Sequence, residues 1–415
     1  MDFLHILDLR AGDRSSRLGP LYYGLIRKAV GNRFNSVKKI IYVIGSLGCG
    51  GAEKQTLMLA GLVREKGYQS SLFVLEAKGD LLSEAERLGV PVHDGGYVST
   101  APGFRKLMLL GDALVRLWRL LRNERPDVVH GVLPLANVMA ALAGRAAGVP
   151  LVITSRRALN THQERVRGWR FADKLGFALS DVVIANSNAV REDTLRREGG
   201  EPEKIKVIHN GIHLPDLRDP EKIRKEVRAE LGIPQTAPVL ITVANLIPYK
   251  GHFELIRALA LVQAEYPDVQ LLVVGEDRGI GAALKADAIR LRVDHCVQWL
   301  GLRSDVRRLL AASDLYVSAS HEEGFSNALL EALAAGKEVV ATRVGGNTEM
   351  LEDGDLGYLV DAGCPDSLAE AINVALPKAM KGGRAQKQVS KVVEKYSPQR
   401  MVEQYLEIYE SGTRG

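Results

Sequence analysis

Two doubly wound α/β domains, each built on a parallel sheet, are the fold this sequence predicts. Three observations lead there. The chain has 415 residues, more than one ordinary hydrophobic core accommodates. Short apolar runs alternate with segments of helical spacing along most of it. The alternation halts once, in a stretch rich in proline and charge, and then restarts.

Taken in order, KKIIYVIGSL is a strand ending in glycines, AEKQTLMLAGLVREKG a helix and SSLFVLEA a strand. FRKLMLLGDALVRLWRLLRNERP is a basic amphipathic helix, followed by the strand DVVHGVL. The helix ANVMAALAGRAAG, the strand VPLVITS, a helix ending near FALS, the strand DVVIANS, a helix over 189–198 and the strand IKVIHNG follow. Strands this uniformly apolar suit a parallel sheet covered on both faces. IHLPDLRDPEKIRKEVRAELGIPQTAP breaks the rhythm and reads as a linker with one short helix. The second half repeats the pattern with the strands VLITVANL, VQLLVVGE, CVQWLG, LYVSAS, EVVATRV and GYLV, and with helices between them. SPQRMVEQYLEIYE closes the chain as an amphipathic helix with a Ser-Pro start.

Composition excludes several classes. Hydrophobic residues are 46% and charged residues 25% of the chain, which fits a globular protein. The three cysteines, Cys49, Cys296 and Cys364, lie far apart and form neither a disulfide framework nor a zinc motif, as expected for a reducing, cytoplasmic compartment. No apolar run approaches the roughly 18 residues of a membrane span. The N-terminus lacks the pattern of a secretory signal. No nucleic-acid motif or aromatic-interleaved basic patch is present, so no nucleic-acid partner is expected.

Charge is uneven. Residues 1–39 carry a net +5, residues 40–214 another +5, and residues 215–415 a net −5. A basic first half suits an anionic lipid surface or an anionic acceptor. A solvated surface with chance asymmetry explains it equally.

The densest chemistry lies in SASHEEGFSNALLEALAAGKEVVATRVGGNTEM, residues 318–350. A strand ends there and a helix starts at Asn327. Ligands of open α/β sheets bind beyond the carboxyl ends of strands. Free N–H groups and the dipole at a helix start favour phosphate. Gly324 permits a close backbone approach. Glu323, at the loop edge, is placed to accept hydrogen bonds from hydroxyls. Glu331 interrupts the apolar run ALLEALAA, where a carboxylate is costly without a partner. Elsewhere, Lys250-Gly251 precedes a helix, and the lysine is placed to neutralise a diphosphate. IGSLGCGGAEKQT sets a glycine-rich turn, including Gly50 and Gly51, before a helix, so that backbone N–H groups can face phosphate oxygens.

Glu323-x7-Glu331, with the AL-A-G and VVAT-VGG-E that follow, resembles the signature of retaining family-4 glycosyltransferases. The resemblance runs from about Lys39 to the C-terminus. It implies the GT-B fold, two Rossmann-like domains facing a cleft. Glu323 would then bind hydroxyls of the donor sugar and Glu331 the nucleotide ribose. The backbone of Gly324, Phe325, Ser326 and Asn327 would face the sugar and diphosphate, and Lys250, Gly50 and Gly51 the phosphates. Asn245 stands where the family carries arginine, Ser326 where proline is common, and Lys337-Glu338 where a residue-proline pair is usual.

His130 ends a buried strand where the family often places a histidine touching the reacting sugar; a hydrogen-bonded structural histidine fits as well. Arg156 and Arg157 are candidates for acceptor phosphate. Asn186-Ser187 and His209-Asn210-Gly211 also resemble family segments, and turn and cap roles suffice for them. No metal or other cofactor is expected, since the one Asp-x-Asp, Asp353-Gly354-Asp355, reads as a surface turn.

The domain layout expected is a basic extension over 1–39, an acceptor-side domain over 40–214 and a nucleotide-sugar domain over 215–395. A helix over 396–415 crosses back to the first domain, leaving a hinge near 214–236. The function implied is retaining, metal-independent transfer of a hexosyl group from a nucleotide-diphosphate sugar to a saccharide or lipid-linked acceptor. The protein would be cytoplasmic and peripheral at the inner face of the membrane. Two other readings stay open: a nucleotide-sugar epimerase of the same fold, and a non-catalytic nucleotide-sugar-binding protein.

Overall fold

The structure, a computed structural model, describes residues 39–159, 167–212, 219–382 and 386–412. The basic segment before Lys39 and the linker residues 213–218 lie outside the described residues.

The first sheet contains β1 (Lys39–Ile44), β2 (Gln69–Val74), β3 (Val92–Asp94), β4 (Val128–Val132), β5 (Leu151–Arg156), β6 (Val182–Ala185) and β7 (Ile205–Val207). Its order is β3-β2-β1-β4-β5-β6-β7, and every pairing is parallel. The helices that cover it are α1 (Gly51–Glu65), α2 (Leu82–Arg87), α3 (Gly103–Glu124), α4 (Pro134–Ala147), α5 (Arg167–Leu179) and α6 (Asn188–Glu198). Strand alternation divides β1 between two cores. Ile40, Tyr42 and Ile44 enter one, and Ile41 and Val43 the other. That is why the run reads as continuously apolar.

The second domain begins with α7 (Pro220–Glu230), capped by the Asp219 carboxylate, which accepts from the Lys222 N–H at 3.0 Å. Its strands are β8 (Val239–Val243), β9 (Gln270–Val274), β10 (Val297–Gly301), β11 (Leu315–Ser318), β12 (Glu338–Thr342) and β13 (Tyr358–Val360). They form a parallel sheet in the order β10-β9-β8-β11-β12-β13. The remaining helices are α8 (His252–Glu265), α9 (Gly281–Arg290), α10 (Val306–Ala312), α11 (Asn327–Ala334), α12 (Gly346–Met350), α13 (Pro365–Met380), α14 (Gln386–Lys395) and α15 (Pro398–Gly412). Two doubly wound parallel-sheet domains make this a GT-B fold.

The linker region is more structured than its composition implies. Arg228 of α7 is fully buried and donates to the carbonyls of Ala312, Pro234, Gln235 and Ala237 and to Asp314. This fastens α7 to the second domain, so the described part of the expected hinge, from 219 on, belongs to that rigid body.

The last helix belongs to the other domain's core. Met401, Val402, Tyr405 and Tyr409 of α15 pack with Tyr42, Leu57 and Val128. The elements not anticipated from the sequence are mostly short. α2, α12 and the edge strand β3 have too few residues to show a period. α14 is longer; its Val392 seals the second core.

Candidate active site

Two loops at the carboxyl ends of neighbouring strands bring Lys250 and Glu323 together. Lys250 closes a single tight turn after β8, and Gly251 follows at φ 68°. A side chain there would put Cβ 1.8 Å from the Ala319 carbonyl, so only glycine lets this loop lie against the one after β11. The Tyr249 carbonyl accepts from the His321 N–H at 2.8 Å, which ties the loops together. The Lys250 ammonium then donates to Glu323 Oε1 at 2.7 Å, and Ser320 Oγ donates to the same oxygen at 2.8 Å. Both charged side chains are largely buried, so the pair is screened far less than a surface pair.

Ser326 caps α11 by accepting from the Leu329 N–H at 3.3 Å. Serine serves as the helix cap without proline's fixed backbone. Behind it Glu331 has no charged partner within ion-pair distance among the described residues. Burial raises its carboxyl pKa, opposed by the positive charges of Lys54, on α1 of the first domain, and Arg307.

The two domains touch around this loop. Asn327 Nδ2 donates to the Gly51 carbonyl at 3.1 Å, and its Oδ1 accepts from Asn210 at 2.6 Å. Ser187 Oγ and the Gly346 N–H both donate to the Gly324 carbonyl, at 2.8 and 3.1 Å. A Cβ at Gly324 would lie 2.5 Å from the Arg157 carbonyl. The glycine's small size therefore admits first-domain backbone.

Residues 223–395 match the family described as glycosyl transferases group 1, and residues 49–215 match glycosyltransferase family 4. The chain belongs to the group 1 glycosyltransferases. Among curated relatives, an N-acetyl-alpha-D-glucosaminyl L-malate synthase of Bacillus anthracis is 31% identical over 240 residues, 57% of this chain. The match spans 61% of that relative's own length. A lipopolysaccharide core biosynthesis glycosyltransferase, LpsE of Rhizobium meliloti, is 26% identical over 87% of this chain and 96% of its own. Among solved structures, Anabaena Alr3699/HepE in complex with UDP and glucose superposes with a TM-score of 0.78. It is 26% identical and covered in full by 90% of this chain.

Several residues of this glycosyltransferase sit differently from expectation. His130 is only 1% exposed and lies within the first core rather than on a cleft wall. It shares a strand face with Val128 and Val132, the face that α15 covers. Its Nδ1 bonds Tyr409 Oη at 2.9 Å and its Nε2 bonds Ser155 Oγ at 2.7 Å. With both ring nitrogens engaged, it is placed as an anchor for the last helix. Burial, aided by the charge of Arg157, pushes its pKa down to about 3. The unfolded chain binds this proton near pH 6.5, so the contribution is fully present above that pH and is lost as pH falls toward 3. In that window stability should fall by up to about 1.4 kcal/mol per pH unit. Urea unfolding of wild type and His130→Gln at stepped pH checks this: the variant's stability should vary less steeply below pH 6.

Arg156 is committed elsewhere. Its guanidinium holds Glu198 bidentately, at 2.8 and 2.7 Å, and both side chains are shielded from solvent. It is not available to acceptor phosphate. Arg157 faces the interdomain seam and donates to Asn210 Oδ1 at 2.8 Å. Asn245 ties its loop to the one after β9, its Oδ1 accepting from the Glu276 N–H at 3.2 Å. Phe325 points into the second core and meets His209 and Tyr396 at ring distances of 5.1 and 5.5 Å, so only its backbone can face a ligand. Gly50 caps α1, with the Glu53 carboxyl folded back against it. Burial raises the Glu53 pKa, opposed in part by the charge of Arg278. The departure at Lys337-Glu338 lies at the amino end of β12, away from the site; Lys337 donates to the Ser313 carbonyl at 2.8 Å.

A latch escaped the sequence reading. Glu349 of α12 accepts from the Asn188 N–H at 2.8 Å and its side-chain amide at 2.9 Å, and pairs with His209 Nε2. Burial alone would raise its pKa; bonds from His209 and Asn188 outweigh that and hold it below the usual carboxylate range. Ser187 and His209 therefore cross the domain boundary rather than only capping their own segments. The VGG-E pattern contained Glu349, but nothing in the sequence named its partners. An open cavity of about 240 Å³ lies beside this latch, lined by His209, Asn210, Tyr396 and Arg400 among others, and does not include Lys250 or Glu323. It follows the seam between domains, so the chemistry is better located by the paired charges than by empty volume.

Proposed function

We propose that this chain transfers a hexosyl group from a nucleotide-diphosphate sugar, with retention and without a metal, to a saccharide or lipid-linked acceptor of surface-polysaccharide assembly. The observation that carries the reading is the buried Lys250–Glu323 pair at the carboxyl ends of adjacent strands, with Glu323 four residues before Asn327, which contacts the first domain's glycine loop. Solved relatives holding UDP and UDP-glucose support a nucleotide-sugar donor.

Without donor the two side chains neutralise each other. An arriving diphosphate offers Lys250 a second anion, which frees Glu323 to accept from sugar hydroxyls. As the anomeric bond breaks, negative charge grows on the diphosphate and the ammonium and loop amides stabilise it. The departing oxygen takes the acceptor's proton as the acceptor attacks the same face. The cytoplasmic side of the membrane supplies both the nucleotide sugar and a lipid-linked acceptor.

A thermal-shift panel of UDP, GDP, ADP and CMP sugars tests donor binding. One nucleotide class should raise the melting temperature by several degrees, as ligand at about 100 times Kd stabilises by about 2.7 kcal/mol. No shift with any of them would refute the reading. Product formed in EDTA with the donor's anomeric configuration would separate this mechanism from metal-assisted or inverting transfer. An epimer formed from donor alone would favour the epimerase.

A further inference from the structure

α3 is apolar on two sides. One side buries Ala113, Leu117 and Leu121 against the first core. The other carries Phe104, Met108, Val115 and Trp118, with Gly111 between them, at alternating steps of four and three residues. That spacing keeps them on one stripe. Leu107 joins it. These side chains face solvent, with exposures of 75% for Phe104, 64% for Leu107 and 60% for Met108. An exposed apolar stripe of this kind marks an interaction surface.

The rim of the stripe is cationic. Arg105, Arg116 and Arg119 flank it, Arg122 continues it by one turn, and all four are exposed. The two acids of the helix are already engaged, Asp112 by Arg116 at 2.7 Å and Glu124 by Lys39. A second copy docked through the same stripe would set arginines against arginines with no acid left to answer them. A surface of anionic headgroups over hydrocarbon answers both features. No helix among the described residues is long and apolar enough to cross a membrane. A helix with this face lies in the interface.

We propose that the outer face of α3 docks this enzyme onto an anionic lipid surface, with Phe104, Leu107 and Met108 entering the acyl boundary and the arginines pairing with headgroup phosphates. The inference rests on the lipid-side acceptor reading above and adds to it a defined surface. The Lys250–Glu323 site takes no part in it.

The test is co-sedimentation of the full chain with vesicles of phosphatidylcholine alone or mixed with phosphatidylglycerol, at low and high salt. Wild type should pellet with the mixed vesicles and be partly released by salt. F104S/L107Q/M108Q should weaken that binding by about tenfold or more. R105E/R119E/R122E should weaken it at least as much and abolish the salt dependence. Every changed side chain is exposed, so both variants should keep the wild-type melting temperature and nucleotide-sugar thermal shift. That second readout separates failure at this surface from failure of the donor site. Wild type that ignores anionic vesicles would overturn the proposal, as would variants that bind like wild type. So would a wild-type dimer in solution that the apolar triple variant splits, since the stripe would then belong to a second copy.

Discussion

Glu323→Ala and Lys250→Ala should each abolish transfer, with losses on the order of 10²- to 10³-fold or more in kcat, the scale seen when a single preorganised charge stabiliser is removed. The two should differ in binding. Lys250→Ala removes the cation that meets diphosphate, so calorimetry should find affinity for the bare nucleoside diphosphate weakened. Glu323→Ala removes a partner of sugar hydroxyls and leaves that affinity intact, or improves it by freeing Lys250 from its 2.7 Å ion pair. Glu323→Gln should recover part of the sugar binding without the charge. Circular dichroism should be unchanged throughout, because neither side chain belongs to a hydrophobic core cluster. If both alanine variants turn over at the wild-type rate, the site lies elsewhere.

Deleting α15, residues 398–412, should unfold the first domain although it removes none of that domain's strands. Met401, Val402, Tyr405 and Tyr409 are each no more than 3% exposed in its core. Truncating one large buried side chain costs about 2–5 kcal/mol. Four together exceed much of the roughly 5–15 kcal/mol that holds a typical domain. The deletion should bind a hydrophobic dye and elute as aggregate. Tyr409→Phe should be milder, about 1–3 kcal/mol, because it keeps the ring and leaves His130 Nδ1 without its hydroxyl partner. A monomeric, cooperatively melting deletion would show that the helix is an accessory.

The sheet architecture was legible because parallel strands covered on both faces leave uninterrupted apolar runs. Both loops that meet at Lys250 and Glu323 were legible too, since each follows such a run and precedes a helix. What could not be read was which way a side chain points and whom it meets. His130 reads from the sequence as the end of a strand, where cleft residues are common, but it is the middle residue of β4, and strand alternation turns it toward Tyr409 of α15, 279 residues away. Arg156 looked free until Glu198, 42 residues on, closed over it. Arg228 sat in a stretch read as linker, and its acceptors are carbonyls, which no letter pattern displays. The Glu349 latch failed to show for the same reason: its bonds to Asn188 and His209 span 161 and 140 residues.

The placement of α15 has a bearing on biosynthesis. Strand β7 leaves the ribosome roughly 190 residues before α15 begins. At about 5–20 residues per second, the N-terminal sheet waits some 10–40 seconds with Tyr42 and His130 uncovered. The earlier-made half of this enzyme therefore cannot mature until α15 has been synthesised, and a chaperone has that interval in which to act.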